Sequence, residues 1–554
     1  FTILFVLAAQ LVGMGLAGFA STLLVKPASM IWPYNLVVAT FLNTFHAEEA
    51  VVPGQITRFK FFILACAGAF AYYFLPGFLF TALSYFSWVC WIKPENRVIN
   101  QLFGVSTGLG MGILTFDWSQ IIYIGSPLMV PWWAQANAMF GFVLFYWILC
   151  PILYYTNTAN SAYMPISTGT PVDRYGAPYN ITAVLNPQRA GILDEAAYHA
   201  YSPVYISVTF MVTFTLAFAL IPAVIVHTLL HYGPQIWRAI RRRTVEKADI
   251  HEKLMRSYTG VPNWWFASLI VLSLTLGIIA IEVDCVYHTG YPVYMFLLSF
   301  LIPAVYFIPA GFLYATASQP LAVNVIAELI PGYVLPGNTV VNMLSKAYSM
   351  NSLLIAVQCI QDMKLGHYMK IPPRETFAVQ LVALVLGSFT QIATKNILFG
   401  VVKDICSETQ ANSFTCPYTQ VWFNSGVLWG AISPARIFGP GAMYHSVMYA
   451  LVAGAVIPVP FWFLGRRYPK SIWKAVNWGV IFNSVTAIPP ATGINYANFL
   501  LVGFIFHLGT LLSIFFIFLT LGLPNVTLDW IAYDWIGMSY LDPPADGFGP
   551  ETWI

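Results

Sequence analysis

Ionisable side chains are concentrated in one short segment, residues 362–374, of a chain that is otherwise strongly apolar. The segment carries a carboxylate, an imidazole and three cationic groups, on Asp362, Lys364, His367, Lys370 and Arg374. Together such groups could bind a charged solute or move a proton. Only 8% of the chain is charged, and both flanking stretches, 352–360 and 377–386, are apolar. The segment is therefore either a loop at a membrane face or part of a path through the membrane.

A second group of polar side chains lies inside an apolar block that ends in a proline-glycine break. Asn324 precedes Glu328 by about one helical turn, and Gln319 lies further upstream. An unpaired carboxylate is costly at membrane depth, so Glu328 should face a cavity or take up a proton. The alternative is a structural pair with a Lys or Arg. Asp117 raises the same question, although it could also lie at an interface. Desolvation makes a carboxylate easier to protonate, and no Na⁺-site pattern is present, so a proton is the favoured coupling ion.

The composition defines the elements that must position these groups. The chain has 554 residues, of which 58% are hydrophobic, whereas about 25% of the residues in a soluble domain are charged. Its apolar residues form unbroken blocks and do not alternate as in a membrane β-barrel. We predict an all-α polytopic integral membrane protein that forms one domain over residues 1–554. The net charge of +3 argues against a nucleic-acid partner, and without CxxC or HExxH spacing we expect no metal site and no cofactor.

About 20 apolar residues are needed to cross a bilayer as a helix. The stretches that fit, or nearly fit, this length are 2–25, 61–75, 78–92, 131–155, 203–230, 264–281, 294–314, 377–398, 443–464, 472–488 and 499–521. More polar candidates are 31–45, 100–125, 321–344 and 421–437. With these, we predict roughly 13–16 transmembrane helices, and we expect one or more further helices upstream of Phe1.

Two hydrophilic segments indicate the orientation. The basic segment, residues 237–263, is rich in Lys and Arg and is predicted to be cytoplasmic by the positive-inside rule. One helix separates it from the sequon segment, residues 156–202, which is therefore predicted to be extracellular. The glycosylation sequon at Asn180 agrees with that side. Cys406 and Cys416 share a later polar loop, where a disulfide and two free thiols are both open alternatives.

Proline and glycine interrupt several apolar runs. The breaks are at 76–77, 331–337, 433–441 and 488–490. A broken helix leaves backbone groups unpaired, which is tolerated where the break lines a cavity and is a pointer to a transporter site. Ordinary kinks or interfacial turns are the alternative for any one of them.

The run from Lys364 to Arg374, Lys-Leu-Gly-His-Tyr-Met-Lys-Ile-Pro-Pro-Arg, resembles the signature of the oligopeptide transporter family, in its peptide-transporter branch. Further matching stretches occur in family order along nearly the whole chain. They are Met30 to Pro33, Phe86 to Trp91, Asn100 to Gly104, Leu114 to Trp118, Tyr123 to Pro127, Tyr333 to Gly337, Phe414 to Pro417, Arg436 to Gly439 and Asn495-Tyr496. Ser433 departs from the family pattern, because a glycine usually precedes that proline.

The resemblance implies proton-coupled import of short peptides across the plasma membrane by alternating access, with about sixteen helices. Glutathione and metal–chelate or siderophore-like solutes are the alternatives within the family. The candidate substrate-binding or proton-coupling residues are the ionisable and polar side chains named above, together with Tyr333 from the motif. They are Asp117, Gln319, Asn324, Glu328, Tyr333, Asp362, Lys364, His367, Lys370 and Arg374. The amides of Gln319 and Asn324 are suited to a peptide backbone, which offers both donors and acceptors.

A membrane-embedded enzyme is the remote alternative, for which Asp117 and Glu328 would have to form a carboxylate pair, although neither lies in a protease-like motif. We interpret residues 362–374 as the inner rim of the substrate path. Pro372 and Pro373 are expected to define the start of the next helix.

Overall fold

The computed structural model describes residues 1–46, 56–105, 107–186, 192–241, 246, 248–283, 289–407, 409–411, 414 and 416–522. The helices of its first part are α1 (Thr2–Leu24), α2 (Pro33–His46), α3 (Arg58–Phe74), α4 (Trp88–Ile92), α5 (Arg97–Phe103), α6 (Trp118–Ile121), α7 (Trp132–Phe142), α8 (Cys150–Tyr155), α9 (Glu195–Tyr201), α10 (Val208–Ile240) and α11 (Ile250–Met255).

The second part is also helical, and in the described ranges extended segments pair only as isolated bridges. Its helices are α12 (Asn263–Glu282), α13 (Val293–Ala317), α14 (Asn324–Val334), α15 (Thr339–Met369), α16 (Pro373–Val401), α17 (Pro417–Gly426), α18 (Pro434–Phe438), α19 (Tyr449–Val456), α20 (Pro458–Arg467), α21 (Trp478–Asn483) and α22 (Gly493–Gly522).

Eight helical runs in the described chain are long and apolar enough to cross a bilayer. They are Thr2–Leu24, Arg58–Leu79, Trp132–Tyr155, Val208–Ile240, Asn263–Glu282, Val293–Ala317, Pro373–Val401 and His445–Arg467. The prediction of an all-α polytopic membrane protein is thereby confirmed, while the total of 13–16 helices stays a prediction. The chain's single-domain organisation and its upstream helices stay predictions too.

Helix α1 packs at very short distance against α12 and α15, because its contact face carries small residues. A Cβ atom on Gly18 would lie 2.1 Å from the ring of Phe266, and one on Gly13 would lie 2.8 Å from the carbonyl oxygen of Ser352. Small residues of this kind let helix backbones approach closely in membranes. The contact holds α15, which carries the candidate residues Asp362, Lys364 and His367, against the core of the bundle.

Two of the predicted spanning helices are wrong. Residues 78–92 form a 3₁₀ turn and the five-residue α4, because the π-helical turn Leu75–Leu79 at Pro76 ends the preceding helix. Residues 472–488 contain only a 3₁₀ turn and the six-residue α21. There Asn477 caps α21 by accepting a hydrogen bond from the amide of Val480, and Asn483 ends it with side-chain bonds to a neighbouring loop.

Residues 362–374 are not a loop at a membrane face, which was one of the two alternatives that the sequence left open. Asp362, Lys364 and His367 belong to the last turns of α15, which ends when Lys370 takes a left-handed conformation, with φ of 61°. Pro373 is the first residue of α16, with Pro372 at its N-cap, so the predicted start of the next helix is confirmed. Likewise α10 continues to Ile240, so the basic segment begins inside a helix.

Candidate functional site

The break between α14 and α15 folds these two helices against each other. Gly337 has a φ of +89°, a conformation that glycine adopts without strain. Its amide donates to the carbonyl of Gly430 (2.9 Å), and its carbonyl accepts from Leu193 in the sequon segment (3.3 Å). Asn338 then caps α15 through the amide of Val341 (3.1 Å). The backbone groups at this break are therefore satisfied by neighbouring segments, as a break at membrane depth requires.

This hairpin brings a carboxylate and an ammonium group together in the protein interior. Lys346 Nζ on α15 lies 2.7 Å from Glu328 Oε1 on α14, with their side chains only 6% and 2% exposed. The Asn342 amide donates to the Glu328 carbonyl (2.9 Å) and ties the two helices at the same level. Of the two alternatives for Glu328, the structure thus shows the paired form, and the pair also faces a cavity.

Helix α17 forms a third wall around the ion pair. The Ser425 hydroxyl donates to Glu328 Oε1 and accepts a bond from Lys346 Nζ at 3.4 Å. The Lys346 ammonium also lies 4.2 Å from the ring centre of Trp422, at cation–π distance. Sequence reasoning did not find Lys346, Trp422 or Ser425. The only signal was the isolated lysine at position 346 in a region with few charges.

The ion pair faces a small cavity of about 80 Å³. Its wall includes Asn324 at the first turn of α14, and its far side is formed by Gly169 of the sequon segment and by Pro489. A volume of this size holds a few water molecules and is well below the 300–1,000 Å³ of typical ligand pockets.

A second and much larger cavity, of about 800 Å³, lies on the other side of Asn324. Asn324 lines both cavities, and Asp362, Gln358 and Asn351 of α15 supply polar groups to the larger one. Its volume falls within the range of ligand pockets. In the described part of the chain, no cation lies within ion-pair distance of the Asp362 carboxylate. The two cavities, which share Asn324, lie along α14 and α15.

The cations of residues 362–374 do not line either cavity, and they bind backbone carbonyls instead. Lys364 is buried and donates to the carbonyls of Val25 (2.8 Å) and Pro27 (3.1 Å) at the end of α1. Arg374 donates to the carbonyl of Gly260 at 3.3 Å. These contacts fasten α1 and the basic segment to the α15–α16 turn.

Lys370 and His367 lie at the same turn, next to His251 of α11. Lys370 Nζ contacts His251 Nδ1 and donates to the carbonyls of His367 (3.2 Å) and Tyr368 (3.1 Å). Burial lowers the pKa of His251, and the adjacent Lys370 lowers it further; burial also lowers the pKa of Lys370. Neutral His251 is therefore the form that accepts a hydrogen bond from the lysine.

Three other predicted residues lie away from the ion pair. Asp117 caps α6 by accepting from the amide (2.9 Å) and hydroxyl (2.7 Å) of Ser119, and it accepts a further bond from Ser84 (2.8 Å). It shares no such contact with Glu328. Gln319 follows the end of α13 and lines neither of the two cavities, and Tyr333 is exposed on α14.

The remaining predicted positions are on polar segments. A disulfide joins Cys406 and Cys416. Asn180 is exposed and its side chain accepts a bond from the Thr182 hydroxyl (2.7 Å). Cys285, which the sequence predicts to be an inert packing residue in an apolar stretch, lies outside the described residues.

Broken helices beside a buried ion pair that lines a cavity, in a multi-pass helical bundle, are features of membrane transporters. A family model described as OPT oligopeptide transporter protein matches residues 1–510, and the chain belongs to this family. It is a transporter and not an enzyme.

Several characterised proteins are similar over most of their length. Glutathione transporter 1 of Schizosaccharomyces pombe is 36% identical, and the alignment covers 100% of this chain and 69% of that protein. Oligopeptide transporter 1 of Arabidopsis thaliana is 37% identical over 90% of this chain and 67% of its own length. Oligopeptide transporter 7 of the same plant is 34% identical over 94% of this chain and 71% of its own length.

Proposed function

We propose that this chain imports short peptides across the plasma membrane by alternating access, driven by protons. The observation that carries the proposal is the buried Glu328–Lys346 pair, which lines the small cavity, while Asn324 lines both the small and the large one. Relatives named as oligopeptide transporters support peptides as the substrate class.

The pair is suited to a solute that carries a carboxylate. A peptide with free termini presents a carboxylate, which Lys346 would bind, and an ammonium group, which Asp362 in the large cavity would bind. Without substrate the two side chains neutralise each other, which avoids leaving either charge unpaired in a buried site. Protonation of Glu328 would release Lys346 for the peptide carboxylate, so proton uptake and substrate binding would be coupled at one pair.

The two cavities fit one conformation of the alternating-access cycle. With the sequon segment outside and the basic segment in the cytoplasm, the small cavity, which Gly169 of the sequon segment lines, would lie in the outer half of the path. The large cavity then belongs to the inner half of the path, where Asp362 supplies a second carboxylate for a proton or for a peptide ammonium group. Rearrangement of the α14–α15 hairpin around Asn324 would transfer the solute between the two.

Glutathione is the second candidate substrate, favoured by the similarity to a protein named as a glutathione transporter. It is a tripeptide with one ammonium group and two carboxylates. Lys346 would bind one carboxylate, and the amides of Asn351 and Gln358 in the large cavity offer donors for the other.

Uptake into proteoliposomes tests the proposal. Labelled tetrapeptide and glutathione are supplied with and without an inward proton gradient, to the native chain and to Glu328→Gln, Lys346→Gln and Asp362→Asn. Truncating one partner of a buried charge pair costs enough to lower uptake about tenfold or more. The matched controls are Glu375→Gln and Lys395→Gln, two exposed charges of α16, which should transport normally. Undiminished gradient-driven uptake by folded Glu328→Gln and Asp362→Asn would refute proton coupling at these carboxylates.

A further inference from the structure

A third cavity, of about 270 Å³, lies between α10 and α20 and shares no lining residue with the two cavities described above. Arg466 and Lys474 give it positive charge, and His227 and His231 of α10 form its other wall. The rings of Phe461, Trp462, Trp473 and Trp478 complete the lining. None of the described lining residues is acidic.

The cationic groups of this cavity have no nearby counter-charge along the chain. Arg466, Arg467, Lys470 and Lys474 fall within nine residues, and the sequence contains no Asp or Glu from position 409 to position 528. Among the described residues, neither Arg466 nor Lys474 takes part in an ion pair. An anion bound here would therefore meet unneutralised positive charge.

The cavity has a built wall and is more than a basic surface. Phe461 packs edge-on against Trp478 (5.0 Å between ring centres) and against Trp473 (5.6 Å). The Arg466 guanidinium lies 5.1 Å from the ring centre of Trp462, which limits the directions it can take. At Gly465, a Cβ atom would lie 3.3 Å from the backbone of Lys474. That short distance keeps the 3₁₀ turn Ile472–Ala475 against α20.

The position of this third cavity along α10 fits a membrane–water interface. His231 lies seven residues before Arg238 on α10, about 10 Å along the helix axis, so the cavity is on the side of the basic segment. Next to the cations, Phe463 (60%), Ile472 (75%) and Trp473 (39%) are exposed. Tryptophan is enriched at such interfaces, and exposed apolar side chains beside cations fit a molecule with a charged head and an apolar tail.

We propose that this cavity binds the phosphate of an anionic phospholipid from the leaflet on the side of the basic segment. Arg466 and Lys474 would bind the phosphate oxygens, since guanidinium and ammonium groups form the strongest hydrogen bonds to phosphate. The acyl chains would lie along Phe463 and Ile472. Basic pockets between membrane helices on the cytoplasmic side bind lipid head groups in this way.

The test uses the full chain in detergent and measures the rise in thermal midpoint with added dioctanoyl phosphatidylserine. Dioctanoyl phosphatidylcholine is the lipid control, and inorganic phosphate at equal concentration represents a soluble anion. The native chain should be stabilised by the anionic lipid alone. Arg466→Gln should need about tenfold more lipid for the same shift, because one charged hydrogen-bonding group is lost. Lys474→Gln is a second variant of the same kind.

Arg467→Gln is the matched control, since Arg467 is exposed on the next position of α20 and does not line the cavity. It should change the lipid requirement less than twofold. An equal effect of Arg467→Gln and Arg466→Gln would overturn the proposal in favour of diffuse surface charge. An equal shift with phosphatidylcholine would also overturn it, as would full replacement of the lipid by inorganic phosphate.

Discussion

Lys346 Nζ and Glu328 Oε1 are 2.7 Å apart, although the two residues lie on successive helices separated by a break at Gly337. Their side chains are almost fully buried, and the Ser425 hydroxyl and the Trp422 ring complete the surroundings. A buried pair of this kind contributes little net stability, but removing one partner leaves an uncompensated charge. The pair therefore makes separate predictions for stability and for transport.

The first prediction concerns the stability of single and double variants. Lys346→Gln should lower the free energy of unfolding by about 3–5 kcal/mol, because it leaves the Glu328 carboxylate buried without its cation. The double variant with Glu328→Gln should recover most of that loss, since neither remaining group is charged. Denaturation in detergent measures the stability, and uptake assays measure transport, which should stay low in the double variant. Recovery of uptake along with stability would show that the pair is only structural.

A second prediction concerns pH and the contact between His251 and Lys370. The pKa of His251 is lowered in the folded chain, so the unfolded or detached segment binds a proton more readily than the folded one. The His251–Lys370 contact should contribute its full stability above about pH 6.5, the usual pKa of histidine. Its contribution should decrease as the pH falls towards the lower pKa that His251 has in the folded chain. The charges of Asp249 and Lys364 also shift the pKa of His251, and His251 in turn affects the pKa of His367.

Hydrogen exchange of residues 250–255 at pH 7.5 and pH 5.5 measures this effect. Exchange in the native chain should be faster at the lower pH after correction for the intrinsic rate. His251→Gln keeps a hydrogen-bond acceptor but does not titrate, so its exchange should lose the pH dependence. A pH dependence that persists in this variant would assign the effect to another group.

A third prediction concerns Ser433, which stands where the family usually has glycine. Its φ is 78°, a conformation that is strained for residues other than glycine. Its hydroxyl donates to the carbonyl of Gly332 (2.9 Å) and accepts from the amide of Ala435 (3.3 Å), which compensates for that strain. Ser433→Ala should therefore cost about 1–3 kcal/mol, since the strain stays and the buried bonds are lost.

Ser433→Gly is the informative comparison, because it removes the strain together with the bonds. Its loss in thermal stability should be clearly smaller than that of Ser433→Ala. If the two variants lost the same amount, the backbone conformation at this position would contribute nothing.

The sequence predicted the class of fold, the break after α14, and Glu328 as a residue that faces a cavity. Its prediction that Asn324 binds the substrate stays a prediction. It did not predict Lys346 as the partner of Glu328, because that pairing depends on how the hairpin folds back at Gly337. Ser425 comes from a helix 97 positions away from Glu328, and local sequence carries no record of such a contact.

The charged segment 362–374 shows a second limit of prediction from sequence. Its residue types fit both a solute path and a structural joint, and the structure shows one of its residues at a cavity and others in a joint. Asp362 lines the large cavity, whereas Lys364 binds carbonyls at the end of α1, 339 positions away. The failed helices at 78–92 and 472–488 have a related cause, since hydropathy alone does not register a proline break or an asparagine cap.

The central claim is that Lys346, released when Glu328 takes up a proton, binds the carboxylate of the transported peptide. The most direct measurement is a double-mutant cycle with a free tetrapeptide and its C-terminally amidated analogue, as competitors of labelled uptake by the native chain and by Lys346→Gln. Amidation should weaken competition about tenfold or more in the native chain and hardly at all in Lys346→Gln, because the group that binds the carboxylate is already absent. Equal weakening in both proteins would contradict the account, since the carboxylate would then be bound elsewhere.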